Sequence, residues 1–428
     1  MLIVCLRVIN IFVPIQCMEQ IGRYVLSGQD GILLMDGEKW KEHSRALAPI
    51  FHGSHVDKHG PAIADIASHH LNRWENGETP EMGVLPSRRK EYGGGEYNQS
   101  PFPQGYETAN KCAPEENTTG GPDLFTAVQG MVMDFLLLYG FNCSPESSLG
   151  VGLASEFYLY RQLLGLPGFF VKFVQMTKCT KKVQKLVEQL VEKHEGQEEG
   201  SRTTDGEGKG SIPNFLTRMI ESGFGLKEIA AEVNHLYGAY KAIGFVLTCV
   251  IWRLSKHPEW TQKLREEWSD KLGKGEADIP TREDLNRLPV TKAVINECLR
   301  MHVVSLGVLR QISAPLEIDG KTLPAGTEIM ILLHSLHHHP DFWENPSEFN
   351  PSRFLEKEPT PYTFIPFLSG ARMCAGKQLA ELHLVVLLHS IFRLYNVTTS
   401  VDELVLKPDN YSTIEGTIPF TVQKIDRE

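Results

Sequence analysis

The chain has 428 residues, 41% of them hydrophobic, and a net charge of −10 with no block of basic residues. That supplies apolar surface for a large core and argues against nucleic acid as a partner. Its eight cysteines, Cys5, Cys17, Cys112, Cys143, Cys179, Cys249, Cys298 and Cys374, include no C-x-x-C pair, so a reducing compartment is expected rather than a zinc framework or a disulfide scaffold.

In chain order, MLIVCLRVINIFVPIQC is an apolar run broken by Arg7, Asn10 and Pro14. It falls short of the roughly 20 apolar residues of a membrane-spanning helix and lacks the basic lead and cleavage site of a signal peptide. A strand or the start of a buried helix is expected. Residues 77–122 are rich in Gly and Pro and read as a low-complexity surface insert between two helices. Apolar periodicity resumes at Asp123 and runs to Phe141, and an acidic loop over 194–211 separates another helical pair. Five N-x-S/T triplets, at Asn98, Asn117, Asn142, Asn396 and Asn410, arise easily by chance and do not signal secretion.

The longest helical pattern runs from Leu226 to Lys256 and ends before His257-Pro258, a span of roughly 45 Å. A further helix is predicted over Glu283–His302. From 315 to 333 the pattern turns to strands, with Asp319-Gly320 at a turn. After Cys374, Ala380, Leu384, Leu387, Leu388 and Ile391 recur at helical spacing in a segment apolar nearly all round, the mark of a deeply buried helix. The balance is a mainly helical chain with a minor β-sheet, in one domain over residues 1–428.

Phe367, Gly370, Arg372, Cys374 and Gly376 form F-x-x-G-x-R-x-C-x-G immediately before that last helix. A thiol that only fills space needs no glycines beside it. Glycines permit positive φ and close backbone approach, so that amide N–H groups can turn toward an anionic sulfur. The helix start adds the positive end of its dipole.

These five positions resemble the haem-binding loop of the cytochrome P450 superfamily, the haem-thiolate monooxygenases. Two more segments carry the resemblance. One is Glu297-Cys298-Leu299-Arg300; the other is FNPSRF over 349–354, which places Arg353 ahead of the cysteine. The resemblance implies the P450 fold (α+β), with haem b (iron protoporphyrin IX) between the long central helix and the helix after the cysteine loop. Cys374 would be the axial metal ligand, Phe367 its shield, and Arg372 a partner for a porphyrin carboxylate. Glu297, Arg300 and Arg353 would form a structural triad, and Arg310 would reach a propionate. LMDGEKWKEHSRALAPIF, residues 34–51, resembles the family's helix whose Trp and basic residues hold propionates, with Trp40 and His43 in those places. The arginine usual four residues after the tryptophan is Ser44 here. Arg45, one place later, reads either as a shifted partner or as a solvated helix arginine.

Anchored on Lys256-His257-Pro258-Glu259, the family's oxygen-activation segment falls on Gly238 to Ile243. Ala239, Lys241 and Ala242 are its candidate catalytic positions. The usual acid is replaced by Lys241 and the usual threonine by Ala242, and alanine relays no proton. The Gly238-Ala239 pair would still make room over the haem.

By resemblance the chain is expected to insert one oxygen atom from O2 into a lipophilic small molecule, using electrons from a flavoprotein reductase or a ferredoxin. The Lys241/Ala242 departure keeps two other readings open. One is a haem-thiolate hydroperoxide or endoperoxide isomerase or dehydratase that needs no reductase; the other is a haem-binding inactive remnant. An intracellular place is expected, with peripheral contact at the endoplasmic reticulum membrane. The likeness begins at about residue 20, and family members carry more chain ahead of the tryptophan helix. A shortened form, an incomplete sequence, or a compensating start in residues 1–17 is therefore expected.

Overall fold

A computed structural model describes residues 31–32, 35–78, 123–141, 143, 147, 149–150, 152–153, 181–194, 214–272, 279–407 and 413–425. The apolar opening, nearly all of the Gly/Pro-rich insert and the acidic loop past His194 lie outside the described residues. The helices used below are α1 (Gly37–Leu47), α2 (Gly60–Glu75), α3 (Leu124–Phe135), α4 (Phe215–Glu221), α5 (Leu226–Lys256), α6 (Pro258–Lys271), α7 (Pro289–Met301), α8 (Leu333–His337) and α9 (Lys377–Phe392).

Four of them, α2, α3, α5 and α9, pack together as the centre of the molecule. Their facing side chains, among them Leu71, Val128, Leu247, Val250, Val385 and Leu388, are almost wholly removed from water. Asp123 starts α3: its Oδ2 accepts the Thr126 N–H at 2.9 Å, and its Oδ1 accepts the Ile418 N–H at 2.9 Å. One carboxylate thereby caps a helix and ties it to the chain just before the last strand. At 31 residues, α5 is about 46 Å long, and the Glu228 carboxylate accepts the N–H of Gly225 at its start (3.0 Å). A smaller apolar cluster joins α1, the end of α3, the helix over 181–194, α4 and the first half of α5.

The helix predicted over Glu283–His302 is divided. A short 3₁₀ turn covers Glu283–Asn286, and α7 begins only at Pro289. The cause is local: the residue before a proline is pushed out of the helical region, and Leu288 has φ −114° and ψ 68°. The Glu267 carboxylate on α6 covers the new helix start. It accepts the N–H groups of Val290 (2.6 Å) and Thr291 (2.8 Å) and the Thr291 hydroxyl (2.6 Å), where the helix dipole favours a negative charge.

The strands pair antiparallel in twos: β1 (Gly307–Gln311) with β4 (Glu328–Leu332), and β2 (Leu316–Ile318) with β3 (Lys321–Leu323). Likewise β5 (Tyr395–Thr399) pairs with β8 (Phe420–Lys424), and β6 (Val405–Lys407) with β7 (Thr413–Glu415). Asp319 and Gly320 both hold positive φ, 49° and 71°, the twist a two-residue hairpin turn requires. The architecture is mainly α with minor antiparallel sheets, as the sequence implies. Among the described residues no helix is long and apolar enough to cross a membrane.

Candidate active site

Between Phe364 and Gly376 the chain runs without helix or strand and is shaped by turns. The N–H of Leu368 donates to the Ile365 carbonyl (3.0 Å), that of Met373 to Gly370 (3.0 Å), and that of Cys374 to Phe367 (2.9 Å). Gly370 sits at φ +80° and Leu368 at φ +63°; the latter costs a residue with a Cβ about 1–2 kcal/mol. Phe367 is half-buried against the main core, so its carbonyl is a fixed anchor for the cysteine.

Cys374 is exposed, whereas Cys143, Cys249 and Cys298 are buried. Although solvent reaches the residue, the protein around the sulfur pushes the thiol up from its ordinary range. The nearby N–H groups of Gly376 and Lys377 offset only part of that push, so the thiol stays raised; a metal bound at the sulfur would hold it as the anion. The two glycines work differently from the sequence expectation. Only Gly370 uses positive φ. Gly376 has an ordinary φ of −78° and forms the N-cap of α9. A Cβ there would lie 3.9 Å from the Cys374 sulfur, so the missing side chain keeps the space beside the thiol open.

Arg372 and Trp40 meet, with the guanidinium carbon 4.0 Å from the indole centroid. The same guanidinium donates to the Asp36 carboxylate (2.6 Å) and the Met35 carbonyl (2.7 Å). α1 thus presents an aromatic face and an anion to the arginine two residues before the thiol. Asp36 was not legible as a partner, because 336 residues separate it from Arg372.

His43, read from the sequence as facing a propionate, points elsewhere. It is buried, stacked on Phe224 at 4.3 Å, with Nδ1 3.1 Å from Glu232 Oε1. Glu232 also accepts the Ile32 N–H at 2.8 Å. Burial pushes this carboxyl up, but the His235 ring 3.6 Å away and the hydrogen bonds with His43 and Ile32 outweigh it and hold the group below the usual carboxylate range. Arg310 lies on β1, exposed, and donates to the Leu309 carbonyl (2.8 Å). Arg45 is exposed as well.

In the segment of α5 read as oxygen-activating, Ala239 is exposed and Ala242 half-buried, while Tyr240 and Lys241 are buried. The lysine at the acid's place is therefore inside the protein.

The structure brings Glu297, Arg300 and Arg353 together. Arg300 donates from Nε to Glu297 Oε2 (2.7 Å) and from Nη2 to Oε1 (2.9 Å), and Arg353 Nε donates to Oε1 (3.1 Å). Glu297 also accepts the Asn350 N–H at 2.9 Å. Arg300 spends its other donors on the carbonyls of His337, Pro346 and Glu348. All of this braces the segment leading into the loop.

A haem carried on Cys374 fits these residues. The cysteine is an exposed residue with backbone N–H groups near its sulfur, a cation on an aromatic ring stands two residues away, and Gly376 leaves room beside the sulfur. A separate cleft of about 410 Å³ lies against the loop, walled by Leu285, Ile295, Leu299, Phe364, Phe367 and Met373. Cys374 is not in its wall, so it is not the place for that group.

The family model for cytochrome P450 matches residues 156–419. Cytochrome P450 4A10 of Rattus norvegicus is 28% identical over 397 residues, covering 89% of this chain and 73% of the relative. Cytochrome P450 4A2 of the same organism is 25% identical, covering 82% and 66%. Cytochrome P450 734A1 of Arabidopsis thaliana is 25% identical, covering 82% and 64%. The chain spans about two thirds of the length of the curated relatives it matches.

Proposed function

From the premise that the chain belongs to the cytochrome P450 family, we propose that it is a haem-thiolate monooxygenase acting on a lipophilic small molecule. The observation that carries this reading is Cys374, an exposed residue in a turn-built loop with the N–H groups of Gly376 and Lys377 close to its sulfur. Haem bound through that sulfur supplies oxygen activation, with the thiolate feeding electron density to iron. The protein's part is to hold and orient it.

Arg372, supported by Trp40 and Asp36, offers its cation to a porphyrin carboxylate. Phe367 holds the cysteine N–H, and the Glu297–Arg300–Arg353 group fixes the segment ahead of the loop. Ala239 supplies a small exposed surface on α5. Arg282, Lys292 and Lys377 border the cleft against the loop together with one carboxylate, Glu381, a rim of net positive charge that supports an acidic electron-donor protein, of the flavoprotein reductase or ferredoxin kind, as partner.

A second reading has one observation in its favour. The buried Lys241 and apolar Ala242 stand where an acid and an alcohol would pass protons, and chemistry that starts from a hydroperoxide or endoperoxide needs no such delivery. The spectrum of the reduced, carbon monoxide-bound protein tests the thiolate bond: a band near that of a thiol- or histidine-ligated haem rejects it. Reductase-dependent oxygen uptake with candidate lipids supports the first reading. Turnover of lipid hydroperoxides without a reductase, and with no such uptake, supports the second.

A further inference from the structure

The run HSLHHHP over 334–340 enters the site described so far only through the His337 carbonyl that Arg300 reaches. His337, the last residue of α8, is completely buried. The N–H of Ile365 donates to its Nε2 at 3.1 Å, and Arg300 donates to its carbonyl at 3.0 Å. One residue thus touches the Glu297–Arg300–Arg353 group with its backbone and the thiol-bearing loop with its side chain.

The bond lands at a consequential place. Ile365 opens the turn closed by Leu368 N–H, and inside that turn lies Phe367, whose carbonyl receives the Cys374 N–H. A continuous path runs from the buried ion group through His337 and Ile365 to the cysteine backbone. The ring is held against rotation by packing 5.4 Å from Phe364, which in turn packs on Trp343 and Phe354.

We infer that His337 is a positioning residue: its neutral imidazole, protonated at Nδ1 and accepting the Ile365 N–H at Nε2, fixes where the loop holds the Cys374 sulfur. An imidazole can accept at Nε2 only when that nitrogen carries no proton. Burial, assisted by the neighbouring His338 and Arg300, pushes its pKa down to about 4, so the accepting form is present throughout the neutral range. The inference deepens the haem-thiolate reading, since the sulfur it places is the proposed ligand, but the bond itself needs no haem.

The test compares the full chain with His337→Phe, which keeps a ring against Phe364 but has no acceptor, and His337→Gln, whose amide oxygen reaches the same distance. Hydrogen exchange is read at the Ile365 amide of the haem-free proteins. His337→Phe is expected to speed exchange there by about tenfold, the size of one lost buried hydrogen bond, and His337→Gln to restore most of it. In haem-loaded protein, His337→Phe is expected to lower the thiolate-ligated share of the reduced carbon monoxide complex, and His337→Gln to recover it. Unchanged Ile365 exchange in His337→Phe overturns the inference, as does a glutamine variant that behaves like the phenylalanine one. Should the variants not fold, nitrogen NMR of the unaltered protein with labelled histidine decides: a proton on Nε2 of His337 overturns the inference, and a bare Nε2 supports it. If the unaltered protein takes up no haem, the functional reading fails while the exchange result still decides the bond.

Discussion

Replacing Arg300 with methionine keeps the length of the side chain and deletes its charge and all its donors. Arg300 is fully buried, and the Glu297 carboxylate it holds is fully buried too. After the substitution that carboxylate keeps the Arg353 Nε at 3.1 Å and the Asn350 N–H at 2.9 Å, but loses its two-pronged partner. Removing one member of a buried pair costs about 3–5 kcal/mol, because the other charge stays out of water. The carbonyls of His337 and Pro346 lose their donor as well, at about 1 kcal/mol each. Set against the roughly 5–15 kcal/mol that holds a folded protein together, Arg300→Met should bring the haem-free protein close to its limit. Urea unfolding followed by tryptophan fluorescence measures it, with slopes compared so that midpoints convert to free energy. Glu297→Met combined with Arg300→Met removes both charges and should be more stable than Arg300→Met alone, since no orphaned carboxylate remains. A loss under about 1 kcal/mol for the single variant, or a double variant no better than the single, would refute the reasoning.

Cys374→Ser should abolish haem retention while leaving the urea midpoint of haem-free protein unmoved, because the residue is exposed and its side chain belongs to neither apolar core; absorbance after gel filtration and an unfolding curve read both. Arg372→Leu should weaken haem uptake, measured by titration, and change Trp40 emission, because the guanidinium lies 4.0 Å over that ring. His383 is buried, and burial pushes its pKa down from 6.5 to about 4. The folded state therefore disfavours its charged form. The stability this neutral group allows is full above pH 6.5 and falls as the pH drops toward about 4. His383→Leu should make the acid side of a melting-temperature profile shallower over that range, and an unchanged slope would count against the assignment.

What could be read from the sequence was what neighbouring residues decide. The limits of α5 follow from Gly225 before it and His257-Pro258 after it. The Asp319-Gly320 turn follows from the two residue types that tolerate positive φ. The division ahead of α7 is also legible in Pro289, which pushes Leu288 out of the helical region. The remainder depends on contacts across the fold. No local pattern announces that Asp36 meets Arg372, or that His43 turns toward Glu232, 189 residues away. Leu368 at positive φ is imposed by the turns around it, not chosen by its side chain. The loop motif marked a chemically special thiol, but the division of labour between Gly370 and Gly376 needed the backbone angles.

Glu267 has a wider effect than closing one helix end. It belongs to α6, and the three groups it receives belong to the first turn of α7. The later helix cannot fray from its beginning unless the earlier one lets go. The two are bound to open together, as a single cooperative block, and Glu297 and Arg300 sit inside that block. Breathing motions that would otherwise admit water to the ion group must therefore meet the cost of loosening both helices at once.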